Sequence, residues 1–370
     1  MGTNPDTFKG CLLGLAVGDA MGLTVDKKSL MEILLDYGPA GLLGYDLVNG
    51  VAEVSSYTQI AAFSCNGLLL SLSRGQSTYL RSITLALKEW AHAQHLPGDP
   101  QKRSCWLRHI PQLRTRKSMD ARTLDALTRD TLGTPETALN QSAGPGTLPA
   151  AIPVGLFFSP QRMEFHQIGE LGTQIVALTH GDTQTFLCGA VIAYAIAGIV
   201  QSPESSLEQN LTNAVQAMQA QFEAQFSEAK PLGEMLYKAL DLAHEPQESH
   251  RDIMEQLVCR SCAQVLCGAF YAASACRGDF DSAMIIAVNH SGKSAAVGAL
   301  TGALLGAELG EAALPEFYLE CLEAAPVLRE LAADLYNCSP GQLRSRLFDD
   351  DFDRKYIQGL PVDPHGWEEA

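Results

Sequence analysis

The chain has 370 residues, 46% hydrophobic and 18% charged, with a formal net charge of -16 at pH 7. Such a composition describes a folded globular protein with a sizeable core and excludes a disordered tail protein. The negative balance argues against nucleic acid or an anionic membrane as a general partner, because both need a basic footprint.

Helical periodicity dominates the chain and convincing β alternation is nearly absent, so the expected class is all-α. The opening Met1-Gly2-Thr3-Asn4-Pro5-Asp6 has neither a basic n-region nor an apolar h-region, and no signal peptide is expected. The pattern predicts helices over Phe8 to Leu23, Gln59 to Leu72 and Tyr79 to Ala93, then Phe165 to Leu178, Thr183 to Ile199 and Leu207 to Phe226. Further helices are predicted over Leu232 to Ala243, Ile253 to Arg277, Phe280 to Asn289, Ala295 to Leu309 and Pro315 to Tyr336. Asp279 reads as a helix cap, and Thr134-Pro135 with Gly144-Pro145-Gly146 marks an extended loop. The apolar run Phe186 to Val200 is short for a bilayer and reads as a buried core helix.

Between them lies a basic stretch, Lys102, Arg103, Arg108, Arg114, Arg116, Lys117, Arg122 and Arg129, against only Asp120 and Asp125. It reads as a solvated helical hairpin or as a docking patch for an acidic partner. The ten cysteines are scattered through apolar stretches, as reduced buried thiols of a cytoplasmic protein would be. Cys259, Cys262, Cys267 and Cys276 lack the second close pair of a zinc site. No long linker divides the chain, which implies one domain over 1–348. The tail 349–370, with Asp349, Asp350, Asp351, Asp353, Pro361 and Pro364, is expected to be peripheral and solvated, without the glycine and closing glutamate of a calcium loop.

Two glycine ladders stand out: Gly10, Gly14, Gly18 and Gly22 near the start, and Gly298, Gly302, Gly306 and Gly310 near the end. Four-residue spacing keeps each set on one stripe of a helix. Glycine inside a helix costs about 1 kcal/mol relative to alanine, so a close helix-to-helix approach must offset it. The ladders predict that the two helices meet at the centre of the fold. Polar residues flank both: Asp19 within the first, and Asn289-His290-Ser291-Gly292-Lys293-Ser294 before the second.

The segment Gly10 to Gly22, the pair Thr179-His180 before a small-residue helix, and the stretch Asn289 to Gly306 resemble, in that order, landmarks of the ADP-ribosylglycohydrolase family, of which the dinitrogenase reductase-activating glycohydrolase is one type. The resemblance implies an all-α orthogonal multi-helix bundle and enzymes that remove ADP-ribose from an acceptor with two magnesium ions. It also marks departures. The family's Thr-Asp-Asp-Thr metal run is matched here by Ser55-Ser56-Tyr57-Thr58, and its Gly-Asp-x-Asp-Ser/Thr run by Gly292-Lys293-Ser294-Ala295-Ala296. Asp26 stands where a glutamate follows the opening helix, and Thr147-Leu148-Pro149-Ala150 replaces a Ser-Leu-Met-Arg element.

Magnesium requires hard oxygen ligands, chiefly carboxylates, and hydroxyls with an alanine do not replace them. The expectation is a member of the fold without a metal, binding ADP-ribose, a related nucleotide-like ligand or a protein partner, such as an ADP-ribosylated protein. Its cleft would be lined by Asp19, Asp26, Ser55, Ser56, Tyr57, His180, Asn289, Ser291, Lys293 and Ser294. The alternative is a hydrolase with an altered or metal-independent site, for which Asp26, His180 and Asp182 are the catalytic candidates, Asp182 orienting His180. Only that alternative leaves room for magnesium. Lys293 places a cation where the family places a carboxylate and is expected to balance a retained acid.

Overall fold

A computed structural model describes residues 4–73, 78–95, 105–118, 120–158, 160, 162–245, 249–338 and 349–362. Lys102, Arg103, Phe348 and Pro364 lie outside the described residues.

The helices in chain order are α1 (Pro5–Val25), α2 (Leu30–Tyr37), α3 (Ser56–Leu72), α4 (Tyr79–His95), α5 (Pro111–Arg114) and α6 (Ala121–Leu127). Next come α7 (Ile152–Phe157), α8 (Phe165–Ala177), α9 (Thr183–Gln201), α10 (Leu207–Phe222), α11 (Ala229–His244) and α12 (His250–Leu257). The last are α13 (Cys262–Ala275), α14 (Phe280–Val288), α15 (Ser294–Leu309), α16 (Glu316–Leu319), α17 (Ala325–Asn337) and α18 (Asp350–Phe352). Among the described residues β structure is limited to isolated bridges, Val48 with Val51 and Ala52 with Leu322. The protein is all-α, as its periodicity implies.

At the centre α1 and α15 run antiparallel in backbone contact. A Cβ built on Gly10 would lie 2.1 Å from the Gly306 carbonyl oxygen, on Gly14 2.1 Å from that of Gly302, and on Gly18 1.9 Å from that of Gly298. At Gly22 the facing residue is Ser294, at 2.3 Å. The ladders therefore interlock over most of their length, and Gly310, at φ +81°, ends α15 in the left-handed region. A second glycine contact joins α8 to α9 through Gly172 and Gly189. Helices α1 and α9 are long and apolar enough to cross a bilayer, but 83% of the most apolar window of each is buried within the protein. The ten cysteines are all free thiols.

Two predicted helices are broken. Ile253 to Arg277 divides into α12 and α13 at Val258 and Cys259, with φ of 65° and 50°. A β-branched residue there is strained; Gly292 packs so tightly on this turn that a Cβ on it would meet the Cys259 carbonyl oxygen at 2.6 Å. Pro315 to Tyr336 divides where Leu322 pairs with Ala52 and Ala324 takes φ 62°. The sequence reading also passed over α2, although Ser29 and Glu32 form a complete capping box.

The segment expected to be peripheral instead packs on the body through residues 349–362. Phe352 and Tyr356 are buried, and the Lys355 ammonium lies between Glu330, at 2.8 Å, and Asp334 of α17. Asp350 and Asp351 face solvent as expected.

Candidate functional site

Acidic residues near the end of α1 organise the cleft by capping other helices. Asp19 is fully buried, and its carboxylate accepts hydrogen bonds from the Ser55 amide (2.9 Å), the Ser55 hydroxyl (2.6 Å), the Thr58 amide (3.1 Å) and the Thr58 hydroxyl (2.6 Å). Those donors are the N-cap and first turn of α3, where free amides and the helix dipole favour an anion. Of the run Ser55-Ser56-Tyr57-Thr58, the outer pair thus turns inward to Asp19. Asp26, at the end of α1, does the same for α15, accepting from the Ala295 amide at 3.0 Å. Lys293, the N-cap of α15, offers no capping side chain, and Asp26 fills that role.

Three predicted cleft residues hold loops instead. Asn289 pairs with both backbone groups of Leu42, at 2.8 and 2.9 Å, and donates to the Ile285 carbonyl at 2.7 Å. The Ser291 hydroxyl accepts from the Leu30 amide at the start of α2, at 2.8 Å. Ser294 is buried, its hydroxyl on the His290 carbonyl at 3.3 Å. Neighbouring His290 bonds at both ring nitrogens to local backbone, and burial lowers it to about 4, so it is a neutral structural group. Of the ten residues expected to line the cleft, seven are buried and Asp26, Ser291 and Lys293 are half-exposed.

The remaining groups gather around Tyr57. Burial raises its phenol well above the usual range, and Asp26, Asp19 and Asp120 reinforce that, so it stays protonated. Burial likewise raises Asp26, against the Ala295 amide and the charges of Lys293 and Lys27. Lys293 also acts on Asp120: burial alone would raise that carboxyl, but His180, the Arg122 amide and the Lys293 ammonium hold it at about 2. The ammonium thus acts on two carboxylates, although it forms no ion pair with either among the described residues.

His180 is fully buried. Its Nδ1 meets the Thr179 hydroxyl at 2.7 Å and the Thr147 hydroxyl at 3.4 Å, and its Nε2 faces the Asp120 carboxylate at 3.6 Å. Asp182, expected to orient this ring, instead caps α9 by accepting from the Thr185 amide at 3.0 Å and hydroxyl at 2.8 Å. Asp120 takes its place. The sequence reading named Asp120 only as an exception in the basic stretch; the signal it missed was a helix-capping acid there, since Asp120 accepts from the Arg122 amide at 2.8 Å. Gly144 and Gly146 close over this pair, and a Cβ on Gly144 would come within 2.6 Å of the Asp120 carboxylate.

The residues present do not fit a dinuclear magnesium centre. Both Asp19 oxygens are taken by α3, an ammonium stands near Asp26 and Asp120, and among the described residues no three His, Cys, Asp or Glu side chains converge as a metal site.

One consequence concerns pH. Burial pushes Asp19 from 3.8 up to about 6, against four hydrogen bonds that pull it down. The folded state then binds more protons than the unfolded state between those values, so stability falls as pH rises through the window. The group's contribution changes by about 3 kcal/mol across it. Unfolding free energies of wild type minus Asp19→Asn, measured from pH 4 to pH 6.5, should decrease with pH; a flat or rising difference would contradict the assignment.

Comparison with known proteins agrees with this architecture. The family model described as ADP-ribosylglycohydrolase matches residues 2–343. An uncharacterized protein of Archaeoglobus fulgidus is 25% identical over 339 residues, covering 90% of this chain and 96% of its own length. A solved structure described as an ADP-ribosylglycohydrolase-related protein complex superposes with a TM-score of 0.58 at 21% identity, covering 90% of this chain and 98% of that one, which bears on the fold alone. The family match spans nearly the whole chain, the glycine-interlocked helices included, and the chain belongs to the ADP-ribosylglycohydrolase family.

Proposed function

We propose that the cleft binds ADP-ribose or a related nucleotide-like group, free or on a protein, without the dinuclear magnesium chemistry of the active family members. The observation that carries this reading is Lys293, whose ammonium lies in the field of Asp26 and Asp120 at the head of α15. A cation there supplies positive charge that a divalent ion would otherwise bring, and it repels such an ion. The carboxylates of Asp26 and Asp120 accept hydrogen bonds from ligand hydroxyls, and Tyr57 offers a neutral phenol.

A second reading, metal-free hydrolysis, is favoured by one contact, the approach of His180 Nε2 to Asp120 at 3.6 Å. In it Asp120 or Asp26 would act on a water while His180 moves a proton.

The two readings separate by calorimetry and turnover. ADP-ribose should raise the melting temperature by mass action, magnesium at millimolar concentration should give no binding heat, and ADP-ribosyl-arginine should remain intact. Turnover that persists in a chelator and disappears in Asp120→Asn would establish the second reading, whereas two bound magnesium ions would overturn both. Conversely, the combined variant Ser56→Asp, Tyr57→Asp, Lys293→Asp and Ala295→Asp should gain magnesium affinity of at least tenfold over wild type, because it restores carboxylates and removes the competing cation. No gain in a folded variant would show that Lys293 does not stand in for a metal.

A further inference from the structure

We propose that the mouth of the cleft is a docking surface for an acidic polypeptide segment, the stretch of chain that carries the group held in the cleft. The inference rests on the reading of the cleft as an ADP-ribose-type site and extends it to the chain around that group.

Four separate segments tied to the heads of α3 and α15 each carry a cation. The stretch around Arg116 and Arg122 wraps the first turn of α3: the Ser118 carbonyl accepts from the Ser56 amide at 3.0 Å, and the Thr115 carbonyl accepts from Gln59 Nε2 at 3.0 Å. Asp120, in the same stretch, reaches His180. Lys27 follows Asp26 and acts on its carboxyl. Arg260 lies in the strained turn, where the Cys259 carbonyl accepts from the Lys293 amide at 2.8 Å and the Cys262 amide reaches the Ala143 carbonyl at 2.7 Å, one residue before Gly144. Lys293 completes the set.

Lys27, Arg116, Arg122 and Arg260 are solvent-exposed, and among the described residues neither they nor Lys293 forms an ion pair. Elsewhere in this acidic chain many cations are neutralised, as Lys117 is by Glu53 and Glu323, Arg129 by Asp125 and Arg277 by Glu208. Unpaired cations on four segments near the heads of α3 and α15, with the exposed Glu255 as an acid among them where it accepts from the Ser291 amide, therefore form a local positive rim against a net charge of -16.

The floor and the rim ask for different chemistry. The carboxylates of Asp26 and Asp120 suit hydroxyl donors, whereas the rim meets whatever extends out of the cleft. Guanidinium groups pair with carboxylates in a bidentate fork. Repulsion from the rest of the surface fades over a screening length of about 8 Å at physiological salt, so a short acidic segment responds to the rim more than to the whole body.

The test uses fluorescence anisotropy with a labelled Glu-Gly repeat peptide, a Gln-Gly peptide of equal length and a single-stranded oligothymidylate, alongside calorimetry with free ADP-ribose. The Glu-Gly peptide should bind at least tenfold more tightly than the Gln-Gly peptide at low salt and weaken at high salt. The variant Arg116→Gln/Arg122→Gln/Arg260→Gln, folded by its melting curve, should lose about tenfold for the acidic peptide while keeping wild-type affinity for free ADP-ribose. Equal binding of the two peptides, or an unchanged affinity in the triple variant, would overturn the proposal. So would tighter binding of the oligothymidylate, or a matching loss of free ADP-ribose, which would assign the rim to the ligand's own phosphates. Wild-type protein that binds the acidic peptide but not ADP-ribose would support the docking surface and overturn the reading of the cleft.

Discussion

Replacing Gly302 or Gly14 by leucine should destabilise the protein by about 3 kcal/mol or more, at or beyond the upper end of ordinary overpacking. The reason is what the new side chain meets. A Cβ on Gly302 would lie 1.9 Å from the Gly14 carbonyl oxygen, and one on Gly14 would lie 2.1 Å from that of Gly302. Neither neighbour is the end of a flexible side chain, so α1 and α15 must separate along their length. Even Gly302→Ala should lower stability, although alanine favours a helix by about 1 kcal/mol over glycine. Urea unfolding of both substitutions at Gly14 and Gly302 checks this, and midpoints equal to wild type in the alanine pair would remove the close-packing account.

Asp19→Ala should cost about 2 to 6 kcal/mol. It leaves the Ser55 and Thr58 amides without an acceptor in a site with no solvent exposure, and each unsatisfied buried group costs about 1 to 3 kcal/mol. The two hydroxyls can rotate to other acceptors, so the amides set the lower bound. Asp19→Asn should be milder, because its amide oxygen still accepts while its NH2 faces donors. Denaturant melts at pH 7 measure the difference, and a loss below 1 kcal/mol in the alanine variant would mean that the start of α3 does not depend on this carboxylate.

The acids illustrate how the site was legible only in part. That Asp19 matters could be read from its place in the glycine ladder, and Asp26 from the family resemblance; that they cap α3 and α15 could not, because the capped amides are 36 and 269 residues away in sequence. Asp182 looked like the partner of His180 because it is two residues on, yet the turn that makes it the N-cap of α9 directs its carboxylate to Thr185. Asp120 reaches the histidine from a different segment, and nothing local announces that approach.

The sequence by itself determined the helical class, most of the long helices and the meeting of α1 with α15, since periodicity and four-residue glycine spacing are local patterns with a single packing solution. It also identified Lys293 as a cation at the head of α15. Tertiary structure decided where the helices at 253–277 and 315–336 break and which polar groups are consumed in capping. Those outcomes depend on contacts between distant segments, such as the Cys259 carbonyl with the Lys293 amide and Ala52 with Leu322, and such contacts carry no local periodicity or spacing by which a chain could announce them.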